Sequence, residues 1–147
     1  FEFTFVGRVP EDVQFRHTRV VDPLEGSDLA DQLRSHHVYV SASIGEPAGM
    51  HYIEAALCGL PVLYRRSGSL PEYCSTFGLP FNEGEVGVGL FSAYERYSEL
   101  KANMSEYPYD TERCCGSYDS LFRQLLIRGS AIKSFIWYDY LWSCNWW

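Results

Sequence analysis

The chain has 147 residues, of which 46% are hydrophobic and 21% charged, and its formal net charge is −7. This length and composition fit one folded domain and exclude wholesale disorder. The acidic balance argues against nucleic-acid binding, because contacts with phosphates need a basic face. No apolar run reaches the roughly 18 residues of a membrane-spanning helix, so we expect no transmembrane segment.

The cysteines show no arrangement typical of a disulfide framework or a metal site. There are five of them, no C-x-x-C pair occurs, and their spacing fits no zinc template. We therefore predict reduced thiols, a cytoplasmic location and no metal. The chain begins at Phe1 without a recognisable signal peptide, and we expect it to be a fragment of a longer protein.

The first half of the chain alternates predicted strands with predicted helices. Strands are expected over residues 3–7, 18–21, 37–43 and 61–64, and helices over 27–35, 48–59 and 70–76. Ser27 is the expected cap of the first helix, and Gly59 is a natural residue just past the end of the second. The strands are continuous apolar runs and are predicted to be buried, which favours a parallel sheet with helices on both faces. Residues 1–83 are thus predicted to form a Rossmann-like α/β core.

The second half is predicted to be helical, with residues 84–129 belonging to the same domain. Ser92 and Glu95 have the spacing of a capping box for a helix that ends before Pro108. The expected apolar stripe of this helix consists of Leu90, Tyr94, Tyr97 and Met104. A second helix is expected from about Thr111, with an apolar face of Tyr118, Leu121, Phe122 and Leu125.

Residues 130–147 form an aromatic tail whose structure the sequence leaves undecided. Three of the four tryptophans lie beyond position 140, and Lys133 is the only basic residue of the segment. Three interpretations compete: packing on a further domain or partner, an aberrant or disordered end, and a peripheral contact with a membrane surface.

The segment EPAGMHYIE, residues 46–54, carries the strongest chemical signal in the chain. It follows a predicted strand, so it lies at the edge of the sheet where ligands bind in α/β folds. The backbone amides of Ala48, Gly49 and Met50 open the helix, and a helix N-terminus favours anions. The turn therefore offers amides for a phosphate between two carboxylates, Glu46 and Glu54, that can accept hydrogen bonds from hydroxyls.

Glu54 is predicted to share the buried side of this helix. Met50, Ile53 and Leu57 define the expected buried stripe, and burying an unpaired carboxylate there would cost several kcal/mol. Simpler explanations remain open. Glu54 could bond a backbone amide, Glu46 could be an ordinary loop carboxylate, and Gly49 could serve tight packing alone. His51 is projected away from the stripe, towards the surface.

The motifs FVGRVP, LADQLRSHHVYVSAS, EPAGMHYIEAALCGLPVLY and RSGSLPEYC lie between residues 3 and 83. In this combination the chain resembles the nucleotide-sugar-binding C-terminal half of a family-4 glycosyltransferase with the GT-B fold. The resemblance implies that Glu46 contacts donor-sugar hydroxyls as the catalytic-site glutamate and that Glu54 contacts the nucleotide ribose.

The same resemblance implies the remaining parts of a donor pocket. The amides at Gly49 and Met50 would hold sugar or diphosphate oxygens, and Ala48 and His51 would lie among the donor-binding residues. The loop with Gly68, Ser69 and Glu72 would border the pocket. The donor is a nucleotide-sugar substrate, so no cofactor is expected, and no metal is implied because no D-x-D pair is present.

The chain departs from the family pattern at the basic residues that neutralise the departing diphosphate. Arg8 follows Gly7 as the family arginine often does, but Val13 stands where a lysine is expected. We expect the true basic pair, and the acceptor-binding N-terminal domain, to lie upstream of Phe1, with Arg8 at most at the pocket edge. Arg65 and Arg66 follow a strand near the same edge, where they are solvated or meet a phosphate.

The predicted function is therefore the donor-binding fragment of a retaining glycosyltransferase, inactive in transfer without its other domain. Two alternatives stay open. One is a nucleotide-sugar epimerase of the same architecture, which would convert the donor with no acceptor present. The other is a non-catalytic, glycosyltransferase-like domain that binds protein through its aromatic tail.

Overall fold

Short parallel strands alternate with helices along most of the chain. The computed structural model describes residues 1–128, and the predictions made for residues 130–147 lie outside them. The chain divides into two units, Phe1–Tyr109 and Asp110–Trp147. The predicted α/β class is confirmed, and the parallel strands with their intervening helices are consistent with a Rossmann-like fold.

The strands of the first unit form two small parallel sheets. Their bounds are β1 Phe3–Val6, β2 Thr18–Val21, β3 Tyr39–Ser41, β4 Val62–Arg65 and β5 Gly78–Phe81. One sheet pairs β1 with β2, and the other has the order β3-β4-β5. Tyr39 pairs with Val62, and Val62 pairs with Gly78. The shared direction of β3, β4 and β5 brings their carboxyl ends to one edge.

A cavity of about 1250 Å³ separates the two sheets, where a single sheet was predicted. Residues 1–7 line one side of it and residues 35–40 the other, and His51 and Glu54 also reach it. Within residues 1–128, no strand ladder joins β1 to β3. The prediction that the first strand is buried is wrong, since Phe3 remains 40% exposed. The reason is that β1 pairs on one side only.

The helices differ from the predicted ones mainly at their ends. Their bounds are α1 Gly26–Arg34, α2 Met50–Leu57, α3 Leu70–Cys74, α4 Val86–Glu95, α5 Tyr97–Asn103 and α6 Thr111–Arg128, with a 3-10 turn at Met104–Glu106. Ser27 lies inside α1, whose N-cap is Glu25. Gly59 follows α2 with φ of +83°, a backbone conformation that glycine adopts without strain, as predicted.

The core lies between β4 and the face of α2 that carries small side chains. Tyr52, Ala55 and Ala56 are the buried residues of α2. The predicted stripe is wrong, because Met50 is 64% and Leu57 49% exposed, and only Ile53 packs partly against the core. Alanines on the inner face let the helix approach the strand closely, so the longer apolar residues are left outside.

The region after β4 departs most from the prediction. Strand β5, with sequence GLPF, was not predicted; Pro80 lies in its interior, where proline is unusual. The capping box is wrong because Ser92 lies inside α4 and the break between α4 and α5 falls at Arg96. Because of that break, the helical spacing of the predicted apolar stripe does not continue from α4 into α5. Tyr94 is 72% exposed, whereas Leu100 and Met104 are buried.

The described part of the second unit is the helix α6, which begins at Thr111 as predicted. The Asp110 carboxylate accepts a hydrogen bond of 2.7 Å from the Arg113 backbone N–H and so caps the helix. The predicted apolar face of α6 is exposed, at Tyr118, Leu121, Phe122 and Leu125. Across residues 1–128, no helix combines the length and the apolar character that crossing a bilayer would require.

Candidate functional site

The turn between β3 and α2 is held in place by the loop that precedes α3. The Ser69 backbone N–H donates to the Glu46 carbonyl oxygen at 2.9 Å. The Gly45 N–H donates to the Ser67 hydroxyl, also at 2.9 Å. Gly68 has φ of +56°, and a Cβ there would overlap the Glu46 carbonyl oxygen. The structure thus brings the predicted Gly68 and Ser69 directly against the backbone of Glu46.

The start of α2 is closed by a buried hydroxyl rather than left free. Gly49 is the N-cap residue, and its backbone N–H donates to the Tyr52 hydroxyl at 2.9 Å. The same hydroxyl is hydrogen-bonded to the Ser69 hydroxyl at 2.8 Å. The prediction that the Gly49 amide is a free anion donor is therefore wrong, because a tyrosine one turn inside the helix reaches back to it.

The neighbouring amides, at Ala48 and Met50, donate to no other residue in the described part of the chain. Both residues are exposed, and they lie just before and at the start of the helix. They are the amides that remain able to receive an anionic oxygen.

His51 contacts Glu46, whereas helical projection predicted only that it points away from the apolar stripe, towards the surface. Its Nδ1 is 3.0 Å from the Tyr39 hydroxyl oxygen, and its Nε2 is 3.5 Å from Glu46 Oε2. The imidazole also packs edge-on against the Tyr52 ring, with centroids 5.0 Å apart. The turn before α2 bends the chain back, so His51 faces Glu46 across the turn.

The phenol of Tyr39 lies in a strongly perturbed environment. Burial, together with the negative charges of Glu54 and Glu46, raises the pKa of Tyr39 to about 12. The hydroxyl therefore keeps its proton at neutral pH and can donate it to the imidazole. Both carboxylates thus act electrostatically on this one phenol.

Glu54 is exposed to solvent and lines the cavity together with Tyr39 and His51. The prediction of a carboxylate enclosed by apolar residues is wrong, because the exposed Leu57 and Met50 leave that side of α2 open. In the described residues the Glu54 carboxylate has no hydrogen-bond partner of its own. It is therefore available to a ligand. Glu46 is more enclosed, with its side chain 26% exposed.

The remaining predicted residues do not converge on the two glutamates. Arg65 forms an ion pair with Glu83 at 2.8 Å, and Arg66 and Arg8 are exposed. Glu72 is also exposed, and its carbonyl oxygen accepts a long hydrogen bond of 3.4 Å from the Tyr109 hydroxyl. Among residues 1–128, the only hydrogen-bond partner of the Glu46 carboxylate is His51, which carries a charge only when protonated.

Sequence reasoning missed three polar side chains in or next to this turn. These are Tyr39, Tyr52 and Ser41; among the described residues, the buried Ser41 hydroxyl at the end of β3 has no hydrogen-bond partner. The alternation of Tyr39 and Ser41 along the strand places both on one face, which was the available signal. Nothing in the sequence pattern shows that Tyr52 caps its own helix.

No protein-family model matches the chain, and no curated protein matches it at a significant level. Within the described residues, no three His, Cys, Asp or Glu side chains come together as a metal site requires. Any functional assignment therefore depends on the geometry of the turn and on the chemistry of its side chains.

Proposed function

We propose that the first unit binds a nucleotide-sugar and is the donor-binding part of a retaining glycosyltransferase. The observation that carries this proposal is the pairing of Glu46 with Glu54. Burial together with the charges of both carboxylates raises the pKa of Tyr39; Glu46 lies in the turn between β3 and α2, and Glu54 lies one turn inside α2. Two acceptors flanking a helix start suit a ligand that has hydroxyls at both ends and a diphosphate between them.

Each carboxylate has a role that its environment supports. Glu46 is held by the Gly68 loop and is largely enclosed, which suits the precise contact that a donor sugar needs. Glu54 is exposed and without a protein partner in the described residues, which suits a ribose that enters from the cavity. The Ala48 and Met50 amides, between the two, are the donors for the diphosphate.

The contribution of these groups to transfer would be positioning and electrostatic stabilisation. A carboxylate that binds sugar hydroxyls fixes the anomeric carbon relative to the acceptor, and the helix amides stabilise negative charge on the departing phosphate. The acceptor and any basic pair would come from a further part of the protein. The chain by itself is therefore expected to bind the donor weakly and to transfer nothing.

Calorimetry on the full 147-residue chain tests this proposal, with UDP-glucose, GDP-mannose and ADP-glucose as probes. We expect saturable binding of one of the three. Glu54→Gln should weaken that binding about tenfold, because a neutral amide is a poorer acceptor for ribose hydroxyls. The matched control is Glu112→Gln, an exposed glutamate in the other unit. Unchanged affinity in Glu54→Gln, or equal loss in the control, would contradict the proposal.

A further inference from the structure

We propose that His51 is a positioning residue that fixes the Glu46 carboxylate in the orientation in which it receives donor-sugar hydroxyls. This proposal rests on the proposed function, and it adds a role for His51 and Tyr39 that the sequence did not suggest. The three side chains form a row from β3 to the turn: Tyr39, His51 and Glu46.

The direction of the hydrogen bonds in this row follows from the chemistry of its ends. An ionised carboxylate only accepts hydrogen bonds, so the Nε2 atom that faces Glu46 must carry a hydrogen. In the neutral imidazole, Nδ1 is then an acceptor and takes the Tyr39 O–H. The raised pKa of Tyr39 keeps that proton in place. The row therefore runs from Tyr39 through His51 to Glu46.

The imidazole is fixed in position as well as in protonation. Its ring lies between those of Tyr39 and Tyr52, at centroid distances of 5.9 and 5.0 Å. Gly49 leaves the room that it occupies, because a Cβ on Gly49 would lie 2.8 Å from His51 Nε2. A side chain at position 49 would thus crowd the rings of both His51 and Tyr52.

Two groups contact the His51 ring nitrogens, the Tyr39 hydroxyl and the Glu46 carboxylate. Glu54, three residues further along α2, lines the same cavity. Only one carboxylate oxygen of Glu46, Oε2, has His51 as its partner. In the described residues the second oxygen has no protein partner, so it is the atom open to a sugar hydroxyl. The distance from His51 Nε2 to Glu46 Oε2 is 3.5 Å.

The first arm of the test measures binding to the full chain. UDP lacks the sugar and UDP-glucose carries it, so the ratio of their affinities isolates the contribution of the sugar. If another nucleotide is the one bound, the same comparison uses its diphosphate. We expect His51→Phe, which keeps a ring and removes both nitrogens, to lower UDP-glucose affinity about tenfold and UDP affinity less than about twofold. His51→Gln, which retains an N–H donor, should recover most of the loss. An equal loss for both ligands, or none, would overturn the proposal.

The second arm needs no ligand and so separates this proposal from the proposed function. The 15N shifts of the His51 ring report which nitrogen is protonated. We expect protonated Nε2 in the wild type, and a changed Nε2 signal in Glu46→Gln. Unprotonated Nε2, or a signal indifferent to Glu46→Gln, would overturn the positioning role. Failure of every nucleotide to bind would instead reject the proposed function.

Discussion

Gly68 lies so close to the backbone of Glu46 that no other residue fits there. A Cβ on Gly68 would overlap the Glu46 carbonyl oxygen and lie 2.6 Å from the Glu46 nitrogen, at a φ of +56°. The loop before α3 and the turn before α2 are therefore one packed unit. The position of the Glu46 side chain depends on the packing of these two segments.

This contact predicts a large cost for Gly68→Ala. We expect a loss of about 2–5 kcal/mol in the free energy of unfolding, from left-handed strain plus the clash. Gly84→Ala is the matched control, because Gly84 has φ of +80° but a Cβ added there would have nothing within 4 Å. The free energy of unfolding of the control should fall by about 1–2 kcal/mol. Urea unfolding of both variants checks this, and equal losses would contradict the close packing.

The hydroxyl that caps α2 predicts a second effect on stability. Tyr52→Phe leaves the buried Gly49 N–H without its acceptor, so we expect a loss of about 1–3 kcal/mol on unfolding. Tyr94→Phe removes a hydroxyl from an exposed tyrosine of the same unit and should change stability by less than about 0.5 kcal/mol. Urea midpoints measured on both variants decide the matter. An unchanged unfolding free energy in Tyr52→Phe would mean that water replaces the tyrosine hydroxyl as the acceptor of the Gly49 N–H.

The raised pKa of Tyr39 predicts a loss of stability in alkali. The folded pKa of about 12 exceeds the ordinary value of 10.0, so the unfolded chain releases this proton first as the pH rises. The contribution of Tyr39 to the free energy of unfolding is fully present below pH 10 and is lost between pH 10 and 12. It amounts to about 3 kcal/mol.

Comparison with Tyr39→Phe isolates this contribution, since other groups also titrate at high pH. Burial raises the pKa of the Cys74 thiol to about 12 as well. Unfolding free energies of the two proteins should differ by a constant between pH 7 and 9. They should then converge or cross as the wild type alone loses the Tyr39 contribution. A difference that stays constant up to pH 12 would contradict the assignment.

The cysteines are predicted to differ sharply in reactivity. Cys74 is fully buried in the core, and its high pKa suppresses the thiolate, whereas Cys114 and Cys115 are exposed on α6. Iodoacetamide should modify the exposed pair faster than Cys74 by at least about 100-fold. Mass spectrometry of timed digests measures the rates. Rapid modification of Cys74 in the folded chain would show that the core around α3 opens easily.

The order of strands and helices up to α3 could be predicted from the sequence because each apolar run ends at a glycine or a polar turn. The face that α2 buries could not. Met50, Ile53 and Leu57 form a regular apolar stripe, yet the residues of α2 that lie inside are Tyr52, Ala55 and Ala56. Hydrophobic periodicity counts apolar residues and does not measure the room available to them.

In the candidate site, too, features set by residues close in sequence could be predicted, whereas contacts between distant residues could not. The two glutamates and Gly49 were singled out from their spacing, and Gly68 from the resemblance to a glycosyltransferase family. The roles of Tyr39 and His51 depend on a contact between β3 and α2 across 12 positions of the chain. The exposure of Glu54 depends on which way the whole helix is turned. Such relationships arise from packing and leave no mark in residue spacing.

The most direct test of the account is to map a nucleotide-sugar onto the chain by amide chemical shifts. The central claim is that the turn before α2 and the Gly68 loop form one donor site. On titration with the nucleotide-sugar that binds, we expect the largest shifts at residues 45–54 and 67–69. Glu46→Gln should abolish the part of these shifts that the free nucleoside diphosphate does not produce. Shifts confined to other parts of the first unit, or no saturable shifts at all, would contradict the account.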